Sequence, residues 1–373
     1  MRTLKYALIG CGRIAAKHIQ AVYANGLEFV AMCDVDESKF DAMLGKAGYS
    51  GCSRPEYSGA ARYADYRLML EEHPEIELVA IATPSGMHAA VALDCIDAGK
   101  HLIIEKPIAL SIADADEIVR RAAVAGVKVA ACHQNRFNPA IQKLRKALDA
   151  GRFGRLSHGS VHVRWNRNRQ YYDQAPWRGT WAQDGGALMN QCIHGIDLLR
   201  WMMGDEPVEV YGATRRRFHD YIEAEDVGLA VVKFANGVIA TIEGTANVYP
   251  QNLEELLCVF GESGTVKIGG TAANRIDVWD FADDSGYEIG RGDFAGQKCS
   301  AAKASDIYGS GHVALYADVV NAIANDREPY VGAVAGRNAV EMVLAIYKSQ
   351  KTGQPVSLPF ADFATVDMRG EFQ

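Results

Sequence analysis

Two short stretches carry residue types that proton transfer needs. Lys106 stands between Glu105 and Pro107, directly after an apolar run. A proline holds the residue before it in an extended or turn conformation, so the amine is aimed rather than carried along a helix. Further on, Asp184-Gly-Gly-Ala-Leu-Met-Asn190-Gln191-Cys-Ile-His194-Gly-Ile-Asp197-Leu-Leu-Arg-Trp201 reads as one helix entered through a flexible Gly-Gly turn. Asn190, His194, Asp197 and Trp201 are four, three and four residues apart and share one face, with Leu188, Cys192, Leu199 and Met203 elsewhere. A polar stripe on an apolar helix is either satisfied within the core or open to chemistry. An imidazole titrates near neutrality and a desolvated lysine amine loses its proton there, so Lys106 and His194 form a pair able to take a hydroxyl proton. Which of the two is the base, the residues leave open.

A third stretch points to a bound anion. Gly10-Cys11-Gly12-Arg13-Ile14-Ala15 follows the first apolar run and opens a helical stretch. Gly10 permits a tight turn, Gly12 lets a pyrophosphate approach the backbone, and Ala15 allows close packing of helix on strand, with the helix N-terminus favouring the anion. Asp34 ends the next apolar run, about twenty residues on, where an acid bonds both ribose hydroxyls of an adenosine. A 2'-phosphate would sit against that carboxylate, and Val35 and Asp36 supply no cation. The expected cofactor is therefore NAD rather than NADP, held by Gly10, Gly12, Arg13, Ile14 and Asp34. Thr83-Pro84-Ser85-Gly-Met-His88 and Glu105-Lys106 leave the carboxyl ends of later apolar runs, where ligands collect in sheets of this kind, and join the cofactor contacts.

Charge marks a further patch. From Arg152 to Gln183 there are six arginines (Arg152, Arg155, Arg164, Arg167, Arg169, Arg178) against one acid, Asp173. They interleave with Trp165, Tyr171, Tyr172, Trp177 and Trp181, a combination suited to anionic oxygens and a planar ring.

The elements that must position these residues follow from patterning. Over the first 134 residues, apolar runs at Tyr6–Ile9, Phe29–Cys33, Leu78–Ala82, His101–Ile104 and Val127–Ala131 alternate with amphipathic stretches such as Ser111–Gly126, which specifies a parallel sheet with crossover helices. From residue 135 the pattern changes to a helix over Pro139–Ala150 and longer strands at 160–165, 208–214, 227–234, 238–246, 256–260 and 275–281, with Asn236-Gly237 marking a hairpin. Helices over 314–324 and 335–347 follow. The runs at 227–234 and 256–260 are apolar on both faces, which predicts a helix on one side and a partner subunit on the other. The expected division is 1–134 and 135–373.

Composition excludes other classes. The 373 residues are 49% hydrophobic and 23% charged, with 46 acids against 39 bases, so the chain can fold a core and has no electrostatic basis for nucleic-acid or anionic-membrane binding. No stretch approaches the roughly 18 apolar residues of a membrane span, and a cytoplasmic location is expected. The eight cysteines (Cys11, Cys33, Cys52, Cys95, Cys132, Cys192, Cys258, Cys299) stand singly, with no zinc clip or redox dithiol; no metal is expected.

Together, Gly10-Cys-Gly12-Arg-Ile-Ala15, Glu105-Lys106-Pro107 and the Gly-Gly turn followed by His194-Gly-Ile-Asp197 resemble the glucose-fructose oxidoreductase / inositol dehydrogenase (Gfo/Idh/MocA) family nearly end to end. The resemblance implies an α/β Rossmann domain, an α+β second domain with an open, mostly antiparallel sheet, a homodimer or homotetramer formed through that sheet, and oxidation or reduction of a sugar or cyclitol carbon. Gln134-Asn135-Arg136, Tyr171-Tyr172, Trp177-Arg178-Gly179-Thr180-Trp181, Asn190-Gln191, Tyr249-Pro250, Asn252-Leu253-Glu254 and Tyr308-Gly-Ser-Gly-His312 resemble a nucleotide-sugar subgroup, which has Asn where many members carry Asp at the position of Asn190. That likeness implies oxidation of the 3-hydroxyl of UDP-N-acetyl-2-amino-2-deoxyglucuronate. It also implies substrate contacts from Lys106, Arg136, Arg164, Tyr172, Arg178, Asn190, Gln191, His194, Tyr308 and His312, with Trp177 and Arg178 also near the cofactor. The stretches Gly45–Ala61 and Asp283–Ser305 depart from the family pattern. Alternatives are an inositol or aldose dehydrogenase, for which the arginine and aromatic patch is surplus, an NAD-dependent glycosidase, and a redox-silent NAD-binding regulator with no need of both Lys106 and His194.

Overall fold

The computed structural model of the chain describes residues 3–48, 59–204, 206–284 and 311–372. Among these, two compact units are distinguished: one runs up to His133 and includes His312–Arg337, the other runs from Gln134 to Gly311 and from Asn338 onward. The linear division at 134 and 135 thus misses the return of His312–Arg337 to the first unit. Cys52, Cys299 and Tyr308 lie outside the described residues.

In the first unit, β1 (Lys5–Ile9), α1 (Ala15–Ala24), β2 (Glu28–Cys33), α2 (Lys39–Gly48), β3 (Ala61–Tyr63), α3 (Tyr66–Glu72), β4 (Leu78–Ile81), α4 (His88–Asp97), β5 (His101–Ile104), α5 (Ile112–Ala125) and β6 (Val129–Ala131) alternate as the patterning predicts. The sheet runs in the order β3-β2-β1-β4-β5-β6, every neighbouring pair parallel. Leu8, Ala80, Ile81, Ile103 and Ile104 are fully buried, as expected of strands covered on both faces. Local signals set the helix ends. The Ser111 side chain accepts from the Asp114 N–H at the start of α5, and Gly126 ends it in the left-handed region at φ 67°.

The second unit begins with α6 (Pro139–Asp149), β7 (Leu156–Arg164) and the short α7 (Arg169–Tyr172). A π-helical turn over Leu188–Cys192 then leads into α8 (Ile193–Met202). Strands β8 (Pro207–Arg215), β9 (Val227–Phe234), β10 (Ile239–Thr245), β11 (Glu254–Gly261), β12 (Gly264–Gly269) and β13 (Arg275–Phe281) follow. From His312 on, α9 (Gly311–Ala324) belongs to the first unit, and from Asn338 on, α10 (Ala333–Thr352) belongs to the second, which β14 (Val356–Ser357) closes. Its eight-stranded sheet has the order β13-β12-β11-β7-β10-β9-β8-β14 and is antiparallel except for β7 with β10.

One face of this sheet carries α8, which packs on β7 and β11. There the strands are notched by glycines. A Cβ at Gly244 would lie 2.5 Å from a Leu188 methyl and 2.7 Å from the Cys192 sulfur, so the π-helical turn sits directly on β10. The other face leaves Tyr211, Leu229, Val231 and Ile239 about half exposed. β9 therefore alternates between buried Ala230 and Val232 and exposed Leu229 and Val231, while β11 keeps Leu256 and Cys258 buried. The six described cysteines are free and buried, and no described helix is long and apolar enough to cross a membrane.

Candidate active site

In the first unit, Gly10 leaves β1 at φ +98°, and a Cβ there would meet the Ala82 carbonyl carbon at 2.5 Å. Only glycine allows that approach. A Cβ at Gly12 would meet nothing within 4 Å, Arg13 is exposed, and Ile14 precedes α1 without a side-chain cap. Space is thus open above the Gly12 turn and no side chain caps α1, as a pyrophosphate requires, although the Ala15 and Lys17 amides already donate to the Gly12 and Ile14 carbonyls. The Asp34 carboxylate accepts from the Cys11 and Asp36 N–H groups, both at 2.9 Å. The absence of a cation beside it, expected from Val35 and Asp36, is corrected: Lys39 places Nζ 3.0 Å from Asp34 Oδ1. The first turn of α2 brings Lys39 back over Asp34, a signal that inspection of adjacent residues missed.

Past β4, the Thr83 hydroxyl is buried with no partner, Pro84 is extended, and Ser85 opens a single 3-10 turn before His88. The His88 ring has Nδ1 2.7 Å from the Pro107 carbonyl oxygen and Nε2 2.9 Å from that of Thr83. It thereby joins the loop after β4 to the loop after β5. Burial pushes this ring below its usual range, against the pull of both carbonyls and of Glu105. The orphaned Thr83 hydroxyl, the open Gly12 turn and the uncapped α1 all fit a dinucleotide.

Glu105, expected to contact the cofactor, is only 7% exposed and is engaged by its own unit. His18 Nε2 lies 3.1 Å and His312 Nε2 3.5 Å from the same Oε1, and the Lys106 N–H donates to Oε2 at 3.2 Å. Burial alone would raise this carboxyl, but the hydrogen bonds from His18 and His312 outweigh it and hold Glu105 well below the ordinary carboxylate range. His312, expected to contact substrate, belongs to the first unit, where its Nε2 faces Glu105 while its Nδ1 is buried with no hydrogen-bond partner. His18, on the buried face of α1, was not singled out; its spacing in that helix was the available signal.

In the second unit, His194 is 7% exposed on α8, and Gly195 rests against Val161 and Val163 of β7. The single helix expected after the Gly-Gly turn forms, but it is not regularly wound throughout. Its first turn is π-wound, which displaces Asn190 from regular spacing with His194. Asp197 pairs with both Nε and Nη2 of Arg136, at 2.7 and 2.6 Å, and that guanidinium lies over the Trp201 ring. Arg136 thus has its fork filled within the core rather than directed at a ligand.

Asn190 donates to Asp184 and accepts from Gln191, whose amide also donates to the Tyr171 hydroxyl at 2.9 Å. Arg178 Nη1 donates to the same hydroxyl at 2.6 Å and its guanidinium lies over the Tyr171 and Trp177 rings. Arg167 donates from Nε to Gln191 at 2.7 Å and lies over Trp165 and Tyr171. Tyr172 packs edge-on against Tyr171. Among the described residues, neither Arg167 nor Arg178 has a carboxylate at ion-pair distance, and Arg178 Nε is buried without a partner. Arg164 differs. It stands on the opposite face of the sheet from α8, paired with Glu243 and Glu254, and does not join this cluster. Arg167 and Tyr171 were read only as part of a basic and aromatic patch; the cluster forms because α7 folds them back toward Gln191.

Comparison with known proteins adds the following. Residues 4–133 match the oxidoreductase family with an NAD-binding Rossmann fold, and residues 141–267 match the GFO/IDH/MocA C-terminal domain. The WlbA dehydrogenase from Bordetella pertussis, solved with NADH and UDP-GlcNAcA, is 35% identical at a TM-score of 0.83, covering 97% of this chain and 99% of that one. Its counterpart from Chromobacterium violaceum, solved with the same ligands, is 34% identical at a TM-score of 0.82, covering 97% of each chain. Myo-inositol 2-dehydrogenase of Thermotoga maritima is 26% identical over 291 residues, 76% of this chain and 80% of that protein.

Proposed function

The chain belongs to the Gfo/Idh/MocA family of NAD-dependent oxidoreductases acting on sugars, and from that premise we propose that it oxidises the 3-hydroxyl of UDP-N-acetyl-2-amino-2-deoxyglucuronate to the 3-keto sugar. The observation that carries this reading is the pair of guanidiniums around Tyr171. Arg167 and Arg178 are built into the second unit without counter-carboxylates. A ligand that brings its own anionic oxygens supplies them, and a neutral inositol does not. The likeness to two dehydrogenases solved with UDP-GlcNAcA supports the same choice.

NAD, when bound, supplies the carbon that accepts hydride. Gly10, Gly12 and the amides that open α1 hold its pyrophosphate, and Asp34 takes the ribose hydroxyls. Thr83, Ser85 and His88 shape the loop beyond β4. Lys106 and His194 are assigned to the hydroxyl proton, one as base and the other as orienting group, with Asn190 and Gln191 fixing neighbouring sugar oxygens. Arg178, Arg167, Tyr172 and Trp177 are assigned to the anionic and planar parts of the substrate. Arg136 acts from behind, by fixing Asp197 and thus α8. The half-exposed apolar row Tyr211, Leu229, Val231 and Ile239 is assigned to self-association, which light scattering of the purified chain tests.

The deciding experiment incubates the protein and NAD with UDP-N-acetylglucosaminuronic acid, myo-inositol and free hexoses, with and without a 2-oxo acid to reoxidise NADH, following absorbance and product mass. A product two mass units lighter from the nucleotide sugar alone is expected. Turnover of inositol with no product from the nucleotide sugar refutes the reading in favour of a cyclitol dehydrogenase.

A further inference from the structure

We propose that Glu105 is a fixed buried anion that favours the oxidised, positively charged cofactor over the reduced one and supports the positive charge Lys106 acquires with the substrate proton. His18 and His312 are the positioning residues that keep it there. The inference rests on the reading of this chain as an NAD-dependent dehydrogenase using Lys106.

Three elements meet on this one carboxylate: α1, which follows the Gly10 turn, the end of β5, and α9. His312 and Tyr316 are four residues apart on α9 and so share a face. Tyr316 lies 2.7 Å from His18 Nδ1, and Tyr6 lies 3.0 Å from Tyr316, hydroxyl to hydroxyl. One donor direction satisfies the chain: Tyr6 donates to Tyr316, Tyr316 to His18 Nδ1, and His18 Nε2 to Glu105. The Cys132 thiol adds a further hydrogen bond to Glu105, and burial together with that anion pushes the thiol well above its usual range. This order satisfies the carboxylate through donors alone, in surroundings where Tyr6, His18 and Tyr316 have no exposure.

A glutamine at position 105 would keep an acceptor for these donors without the cost of burying a charge, so the charge itself calls for a use. Its place supplies one. Glu105 directly follows β5, the neighbour of β4, at the carboxyl edge where a dinucleotide lies in sheets of this order, and it precedes Lys106. The fields of Glu105 and Lys106 both reach His88 and Cys132, so the two charges act on one neighbourhood. Oxidation breaks a C–H bond, whose electron pair leaves as hydride for the nicotinamide, and an O–H bond, whose proton goes to the lysine amine. The ring loses one positive charge while the lysine gains one. A fixed anion at this edge of the sheet favours the charged partner before and after the transfer.

The test uses full-length protein stripped of copurifying cofactor, with a thermal melt showing that each variant is folded. Glu105→Gln should weaken NAD+ binding about tenfold relative to NADH, read by calorimetry without any sugar present, the size expected of one charge removed from a partly screened site. The acid limb of the kcat/KM profile should move down by about one pH unit. His312→Ala, which removes the longer hydrogen bond, should move both readouts the same way by less, and it serves if Glu105→Gln does not fold. Equal weakening of NAD+ and NADH in both variants would reduce Glu105 to a structural anchor and overturn the proposal. So would stoichiometric zinc in the purified protein, because a cation between His18, Glu105 and His312 would cancel the charge. Because the affinity ratio needs no sugar, a wrong substrate assignment leaves it intact, whereas failure of both cofactor forms to bind rejects the dehydrogenase reading itself.

Discussion

Glu105 in the first unit and Glu225 and Glu255 in the second are carboxyl groups with almost no exposure, yet they end in opposite charge states. Burial raises all three. Around Glu105, two imidazoles, a thiol and a backbone amide turn that cost around and leave an anion. Glu225 accepts from the Leu188 N–H and the Tyr347 hydroxyl, both on Oε1, and burial still pushes it up to about 8. Glu255 has no hydrogen bond to its carboxyl and is likewise pushed up to about 8, by burial alone. The number of donors, rather than depth, decides whether a buried acid is charged. The difference divides the labour as well. In the first unit Glu105 keeps a charge to act on charges, while in the second Glu225 sets backbone geometry, because it fills the space left by Gly186 and holds the first amide of the π-helical turn.

The harshest way to break this comparison is Gly186→Ala. The new methyl would fall inside the Glu225 carboxyl group, which is enclosed and cannot swing away. A loss of more than about 4 kcal/mol is expected, seen as absence of folded protein, because overpacking a closed site has no cheap relaxation. Gly186→Ala combined with Glu225→Ala should recover folded protein. If it does not, the glycine is needed for its backbone and the carboxyl is incidental.

Charge state itself is tested by pH. A carboxyl whose folded pKa of about 8 lies above its ordinary 4.5 carries no penalty below 4.5; stability is lost as pH rises from there toward 8, while the unfolded chain ionises and the native one does not. Glu255→Gln removes that slope. Relative to the parent chain, the variant should gain about 4 kcal/mol in urea unfolding between pH 5 and pH 9. Parallel stability curves over that range would mean that Glu255 is ionised in the native state.

These contrasts also show what was legible beforehand. Apolar runs located β1, β2, β4, β5 and β6 of the first unit, because a sheet buried on both faces leaves such runs, and Ser111 and Gly126 mark the ends of α5 by local chemistry, whereas β3 and the helices α2, α3 and α4 were not placed. Short β12 and β14 carry too few residues to show a period, and Asn190 was set on a regular helix because the π-helical turn depends on room made by Gly228 and Gly244 some forty to fifty residues away. Lys106, His194 and the Gly10 turn stood out since their own sequence neighbours make them unusual. The His18–Glu105–His312 cluster and the Arg167–Tyr171–Gln191 cluster did not, since each is assembled from segments distant in the chain. Arg136 and Arg164 looked alike as arginines in or near a basic stretch, and only tertiary placement gives each its carboxylate.

In the second unit Arg167 has no carboxylate at ion-pair distance among the described residues, and Arg167→Ala probes its charge. Removing this guanidinium should raise KM for an anionic sugar nucleotide about tenfold, roughly 1.4 kcal/mol, with a smaller change in kcat and unchanged NAD affinity. A variant whose KM is unchanged in steady-state kinetics would leave Arg167 as a brace between Gln191 and Trp165.

The smallest effect is expected at the other carboxylate of the cofactor half. Asp34, like Glu105, gathers several donors, but one of them is the Lys39 amine, whose side chain is 43% exposed. A pair that reaches solvent is screened and contributes at most about 1 kcal/mol. Lys39→Ala leaves Asp34 its hydrogen bonds from the Cys11 and Asp36 amides, which come from the backbone of the turn itself and so fix the carboxylate without the lysine. The affinity for NAD should therefore change by less than about threefold in calorimetry, with any difference shrinking as salt is added. A larger loss that persists at high salt would show that Lys39 touches the cofactor itself, and the rule drawn from the three buried acids, that backbone and core donors set the state of a carboxylate here, would then stop at Asp34.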